Sequence, residues 1–92
     1  MGGIYYLDVS LKGQGADLGR AKQIVRALGE IRDGKGYRVN GRMLEYTGLE
    51  DRAAETWKFE YIDFEDRAAA LKALAVDLDR IDGDWRDCLI TD

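Results

Sequence analysis

The chain has 92 residues, of which 46% are apolar and 35% are charged, with one cysteine, no histidine and no proline. This length fits one domain, residues 1–92, and is too short for two. A net charge of −4 disfavours general affinity for nucleic acid or anionic membranes, and no segment approaches the ~18 apolar residues of a membrane span. Because Cys88 is the only cysteine and no signal peptide is recognisable, the sequence favours the cytoplasm.

The first half of the chain is expected to contain a strand, a helix and a weaker strand. Apolar and polar residues alternate over Ile4–Leu11, which predicts a half-buried strand with its odd-numbered residues in the core. The apolar spacing after Asp17, a predicted N-cap, predicts an amphipathic helix that ends near Arg32. Within the weaker strand that follows, Asn40-Gly41 is either a bulge or a hairpin turn.

The second half is expected to contain an aromatic strand, a helix and a final strand. Trp57–Phe64 interleaves aromatic and charged residues, and its alternation favours one core face for Trp57, Phe59 and Tyr61. The segment Arg67–Ile81 has one apolar stripe and predicts the second helix. Trp85–Thr91 alternates weakly and predicts the last strand.

These elements together predict the fold class. The order β-α-β-β-α-β is that of an α+β, ferredoxin-like, two-layer sandwich with a four-stranded antiparallel sheet. Because each helix has only one apolar stripe, both helices are expected on the same face of the sheet. The other sheet face is then open to water or to a partner.

Residues that could perform catalysis are sparse. The absence of histidine excludes a Ser-His or Cys-His pair, and Cys88 is predicted to be a small buried core residue. The acidic run Asp77–Asp84 resembles a calcium loop, but its glycine falls one residue late for that motif. We therefore predict no enzyme, no metal site and no cofactor, with a carboxylate-based small enzyme as a less favoured alternative.

Two strands resemble those of the RNA-recognition-motif family. Phe59, Tyr61 and Phe64 stand where that family has aromatic residues on its third strand, and Tyr5 stands where it has a stacking residue on its first. This resemblance implies the β-α-β-β-α-β fold and RNA binding, but alternation places Tyr5 in the core, so we interpret it as a shared fold. The element order also resembles ACT-type regulatory domains, which implies a small-molecule ligand. Size and charge resemble small acidic phage inhibitors such as anti-CRISPR proteins.

The functional prediction is based on the uneven distribution of charged residues along the chain. Residues 1–59 hold 10 Lys/Arg against 8 Asp/Glu, a net +2, and residues 60–92 hold 4 against 10, a net −6. An acidic surface attracts a basic partner. We therefore predict a non-catalytic, monomeric or homodimeric interaction domain for a macromolecule, namely a protein with a basic surface such as a nucleic-acid-binding protein. An ACT-like small-molecule domain and an RNA binder are the alternatives. The predicted partner-binding residues are acidic or aromatic: Asp63, Glu65, Asp66, Asp77, Asp79, Asp82, Asp84, Asp87, Tyr6 and Phe64.

Overall fold

Two helices and an antiparallel sheet form the part of the chain that the computed structural model describes, residues 2–12, 16–31, 41–45 and 56–91. The strands lie in the order β2-β3-β1-β4. The choice between bulge and turn at Asn40-Gly41 falls outside the described residues. In chain order the elements are β1 (Gly3–Leu11), α1 (Ala16–Ile31), β2 (Gly41–Glu45), β3 (Thr56–Phe64), α2 (Arg67–Ile81), a 3₁₀ turn (Trp85–Asp87) and β4 (Leu89–Thr91).

The hydrophobic core lies between the helices and one face of the sheet. Leu7 pairs with Phe59, and Val9 pairs with Trp57, across the central β1–β3 ladder. Both helices contribute to the same cluster, so they cover one face of the sheet, as the single apolar stripes predicted. The core positions predicted for Leu7 and Val9 of β1, for the aromatic residues Trp57, Phe59 and Tyr61 of β3 and for Cys88 are confirmed, and Tyr5 and Leu11 pack partly against this core. The core comprises Leu7, Val9, Ala21, Ile24, Val25, Leu28, Trp57, Phe59, Tyr61, Ala70, Leu74, Leu78, Trp85, Cys88 and Leu89.

The C-terminal part of the sheet corrects the predicted fold class. The prediction was a ferredoxin-like sandwich whose four-stranded sheet ended in a strand over Trp85–Thr91. The regular sheet is instead three-stranded, β2-β3-β1, and β4 adds only a three-residue edge strand beside Val9–Leu11. Bonds from Asp87 N–H to Asp84 C=O and from Cys88 N–H to Trp85 C=O use the backbone groups that a longer strand would need. The fold is therefore a small α+β domain.

A bulge near the end of β3 changes which side chains reach the open face. Gly3 pairs with Phe64 and Ile4 pairs with Ile62, so Asp63 is the extra residue, and its φ of 69° is left-handed. Ile62 therefore stays on the open face, whereas Phe64 packs against the core with its ring centroid 5.7 Å from that of Tyr61. Gly2 is required beside this bulge, because a Cβ at that position would lie 2.5 Å from the carbonyl carbon of Asp63.

Candidate functional site

The acidic residues at the C-terminal end of α2 are bound to cations from the first half of the chain. Asp82 accepts bonds from Nε and Nη2 of Arg20, each 2.9 Å long, and these bonds hold the pKa of its carboxyl below the usual 3.8. Arg20 also donates from Nη2 to the carbonyl oxygen of Asp84 at 3.0 Å. Its Nη1 lies 4.0 Å from Oδ2 of Asp87, an exposed residue. One arginine of α1 therefore neutralises Asp82 and offsets part of the charge at this end.

Further contacts at the C-terminal end of α2 involve Trp85. The indole Nε1 of Trp85 donates to Oδ1 of Asp79 at 2.8 Å, and Nη1 of Arg86 lies 3.5 Å from the same oxygen. The Arg86 guanidinium stacks 4.3 Å from the Trp85 ring centroid, and Lys12 donates to the Arg86 carbonyl oxygen at 3.2 Å. Lys12 and Arg20 belong to residues 1–59, the segment with net positive charge. Their contacts with the acidic C-terminal segment therefore reduce the separation of charge in the folded domain.

Asp77 is a predicted surface residue that the structure places inside the protein. Its side chain faces the sheet, where Oδ2 accepts a 2.7 Å bond from the Tyr61 hydroxyl. Burial raises the pKa of the Asp77 carboxyl above its usual 3.8, although the Tyr61 bond and the charge of Arg80 act in the opposite direction. Asp77 stabilises the contact between α2 and β3 and is not exposed to a partner. Asp77 follows buried Ala70 by seven residues, about two helical turns, so the sequence indicated that its side chain points inward.

At the N-terminal end of α2, the acidic residues have different positions. Asp66 is the N-cap, and its Oδ1 accepts a 2.8 Å bond from the Ala69 N–H. Asp63 and Glu65 are exposed, and Oδ1 of Asp63 also accepts a 3.2 Å bond from the Gly2 N–H. This end of α2 therefore presents Asp63 and Glu65 to solvent, next in sequence to Ile62 and Phe64 of β3.

Two hydrogen-bonded polar pairs lie at one end of the open sheet face, where exposed Ile90 of β4 is opposite Ser10. Here Ser10 and Thr56 share a 3.0 Å bond between their hydroxyls, and the Lys58 ammonium donates to Oδ1 of Asp8 at 2.8 Å. Each of these pairs joins residues that lie directly opposite in the β1–β3 register. This end of the face is therefore locally neutral and already hydrogen-bonded.

The other end of the open face carries three exposed apolar side chains, with the largely buried Glu60 opposite Tyr6. Ile4 and Ile62 lie directly opposite one another, and Tyr6 follows Ile4 on the same face of β1. Their exposed fractions are 53% for Ile4, 40% for Ile62 and 48% for Tyr6. We call these three residues the apolar patch. Tyr6 was among the predicted partner-binding residues, whereas Ile4 was missed although the alternation of β1 indicated an outward position.

The aromatic residues that resemble an RNA-binding surface lie in the core or, in the case of Tyr5 and Phe64, pack partly against it. Phe59 and Tyr61 are each only 1% exposed, and Phe64 packs partly against the same core. Bases stack on exposed rings, so these side chains cannot serve as a stacking platform in this arrangement.

Neither the described residues nor similarity to known proteins indicates a ligand. Within the described ranges, no group of three or more Cys, Asp or Glu side chains is placed to hold a metal ion. Neither described helix has the length and hydropathy that a bilayer crossing requires. Comparison with protein-family models, curated proteins and solved structures gave no match.

Proposed function

We propose that this chain is a protein-binding domain whose contact surface is the apolar patch together with Asp63 and Glu65. The observation that carries the proposal is the clustering of exposed Ile4, Tyr6 and Ile62 at one end of the open sheet face. Exposed Ile90 lies at the other end of this face, opposite Ser10. Single exposed apolar residues are ordinary, but neighbouring ones mark interaction surfaces. The partner in this proposal presents apolar side chains with lysine or arginine beside them.

The apolar patch supplies the attraction at short range. Fully burying a large apolar side chain contributes roughly 1.5–3 kcal/mol, and each of the three is about half exposed. Covering them therefore contributes a few kcal/mol before the entropic cost of association is subtracted. A specific complex therefore also needs polar and charged contacts around the patch, which add to this free energy.

The acidic residues supply charge complementarity. The segment 60–67 has four acids and one base, a net −3, and Asp63 and Glu65 within it are exposed. Among the described residues, neither of these acids is bonded to an arginine in the way that Asp82 is bonded to Arg20. A basic partner is therefore steered to this end of the domain. In this proposal the domain works in the cytoplasm by occupying its partner, as an inhibitor of a nucleic-acid-binding protein would.

Paired variants test the apolar contribution. Wild-type protein and the Tyr6→Ser/Ile62→Thr variant are immobilised, proteins captured from native lysate are quantified, and the affinity of the purified candidate is measured by calorimetry. The matched control is Val76→Ser/Ile90→Thr, because these two residues are equally exposed but lie outside the patch. We expect at least about a tenfold loss of affinity for the patch variant and none for the control. Equal binding by both variants contradicts the proposal.

A second pair of variants in the same experiment tests the charge contribution. Asp63→Asn/Glu65→Gln and Asp84→Asn/Asp87→Asn change net charge equally, but at opposite ends of α2. Asn is chosen at position 63 because it tolerates a positive φ. We expect slower association and weaker salt dependence for the first variant only. The same loss in both variants would show that net charge, rather than this surface, attracts the partner.

A further inference from the structure

Helix α2 ends at an aspartate that is followed directly by a glycine. Asp82 is the C-cap residue, and the exposed Gly83 comes next in the chain. Aspartate isomerises most readily in an Asp-Gly pair, because glycine has no Cβ to hinder attack by its own nitrogen on the preceding side chain. Packing does not require glycine here, since a Cβ at position 83 would meet none of the described residues within 4 Å.

The isomerisation begins with attack of the Gly83 backbone nitrogen on Cγ of Asp82. A C–N bond forms, and the Gly83 amide proton and the hydroxyl of the protonated carboxyl leave together as water, which closes a succinimide ring. Water then adds to either ring carbonyl. Cleavage of the new Cγ–N bond restores aspartate, whereas cleavage of the original peptide bond gives isoaspartate, in which the main chain runs through Cβ and Cγ. Isoaspartate therefore has the same mass as aspartate, and the reaction needs no other reactant.

Both oxygens of the Asp82 carboxylate are held by donors in the folded domain. Oδ2 accepts from Nε of Arg20 and Oδ1 accepts from Nη2 of Arg20, each at 2.9 Å. Oδ1 also accepts from the Asp84 N–H at 2.9 Å. Bonds of this kind favour the ionised carboxylate over the protonated one. An ionised carboxylate has no hydroxyl to lose, so the same bonds oppose closure of the succinimide ring.

We propose that Asp82-Gly83 is a site of isoaspartate formation and that Arg20 suppresses this modification while the domain is folded. Water can reach the site, because the Asp82 side chain is 27% exposed. Arg20 lies 62 residues earlier in the chain, so its two bonds to Asp82 form only when α1 and the end of α2 have come together. An unfolded or locally opened chain lacks this protection.

Isoaspartate at this position would also disturb the end of α2. The backbone N–H of Asp82 donates to the Leu78 carbonyl oxygen at 2.9 Å, and its own carbonyl oxygen accepts from the Trp85 N–H at 3.1 Å. Isomerisation adds one carbon to the main chain between these two groups, so both bonds cannot keep their present geometry. A chain modified at Asp82 is therefore expected to unfold at lower denaturant concentration than the unmodified chain.

Isoaspartate at position 82 is measured over time in the folded protein and in a synthetic peptide of residues 78–87, both kept at pH 7. Trypsin releases residues 81–86, which separates this site from Asp33-Gly34, a second Asp-Gly pair that lies outside the described residues. Mass spectrometry with electron-transfer fragmentation distinguishes isoaspartate from aspartate. We expect the folded wild type to isomerise at least about tenfold more slowly than the peptide. Equal rates in protein and peptide overturn the proposal.

Two variants with the same change of charge test whether Arg20 is responsible. Arg20→Gln removes both side-chain bonds to Asp82, whereas Lys12→Gln removes a cation that donates to the Arg86 carbonyl oxygen. We expect Arg20→Gln to isomerise at least about tenfold faster than the wild type, and Lys12→Gln to isomerise at the wild-type rate. Adding Gly83→Ala to Arg20→Gln should slow the reaction again, because the new Cβ hinders the attack. An Arg20→Gln variant that isomerises like the wild type overturns the proposal.

A destabilised variant separates protection by Arg20 from protection by folding in general. Phe59→Leu shortens a buried core side chain and leaves the bonds to Asp82 in place. All proteins are incubated at a temperature at which circular dichroism shows them folded, and denaturant titration gives the stability of each. We expect Phe59→Leu to isomerise close to the wild-type rate although it is less stable. If Phe59→Leu and Arg20→Gln lose similar stability and isomerise equally fast, general opening of the fold sets the rate and the role of Arg20 is refuted.

Discussion

Replacing Tyr61 by Phe is expected to destabilise the domain by roughly 2 kcal/mol at pH 7, because it removes the hydrogen bond to a buried carboxylate. The hydroxyl of Tyr61 is 2.7 Å from Oδ2 of Asp77, and both residues are at least nine-tenths buried. The lost bond leaves a buried charge with less solvation than it has in the unfolded chain. Chemical denaturation of the variant and the wild type at pH 7 measures the difference.

The stability of the wild type should depend on pH through the same Asp77 carboxyl. Burial raises the pKa of Asp77 above 3.8, so the folded state binds more protons than the unfolded state between these two values. The contribution of Asp77 to stability therefore falls as pH rises from 3.8 through the pKa of the folded state. Tyr61→Phe should raise that pKa further, so its destabilisation should shrink in acid.

A double variant serves as the control for this pair. In Tyr61→Phe/Asp77→Leu both polar groups are replaced by apolar ones, and most of the stability lost in Tyr61→Phe should return. Such recovery is expected to be larger at pH 7 than at pH 4. A Tyr61→Phe variant that unfolds like the wild type at every pH from 4 to 8 would show that the hydrogen bond contributes nothing.

The other large effect is expected at Trp57, because Trp57→Ala should lower the free energy of unfolding by about 3–5 kcal/mol. Its side chain is fully buried beside Val9 in the central ladder, and Ala would leave a large cavity.

Trp57→Phe should lower the free energy of unfolding far less than Trp57→Ala does. The indole Nε1 of Trp57 is buried without an acceptor among the described residues, and removing an unsatisfied donor of this kind recovers about 1–3 kcal/mol. This gain offsets the smaller ring.

Trp85 is the matched control for the indole. Trp85 is also buried, but its Nε1 donates to Asp79 at 2.8 Å, so Trp85→Phe loses both ring area and a hydrogen bond. We therefore expect Trp85→Phe to lower the free energy of unfolding more than Trp57→Phe does, as measured by denaturant titration. The opposite ranking would show that Nε1 of Trp57 is satisfied in solution.

Local patterns in the sequence determined the helices and central strands. The apolar spacing of Arg67–Ile81 gave the observed bounds of α2, and β1 and β3 begin one residue before the predicted Ile4 and Trp57. These patterns succeed because side-chain periodicity is set by the backbone geometry of each element and needs no knowledge of its neighbours. The same alternation assigned Leu7, Val9, Trp57 and Phe59 to the core.

Contacts between distant residues decided the site. The bond between Arg20 and Asp82 joins positions 62 residues apart and reduces the charge segregation from which the acidic surface was predicted. Asp77 points inward because Tyr61 lies opposite it, and the bulge at Asp63 turns Phe64 away from the open face while Ile62 remains there. The 3₁₀ turn over Trp85–Asp87 takes the place of the first residues of the predicted last strand, so β4 begins only at Leu89. Each outcome depends on which partner a polar group meets after folding, and the local sequence does not contain that information.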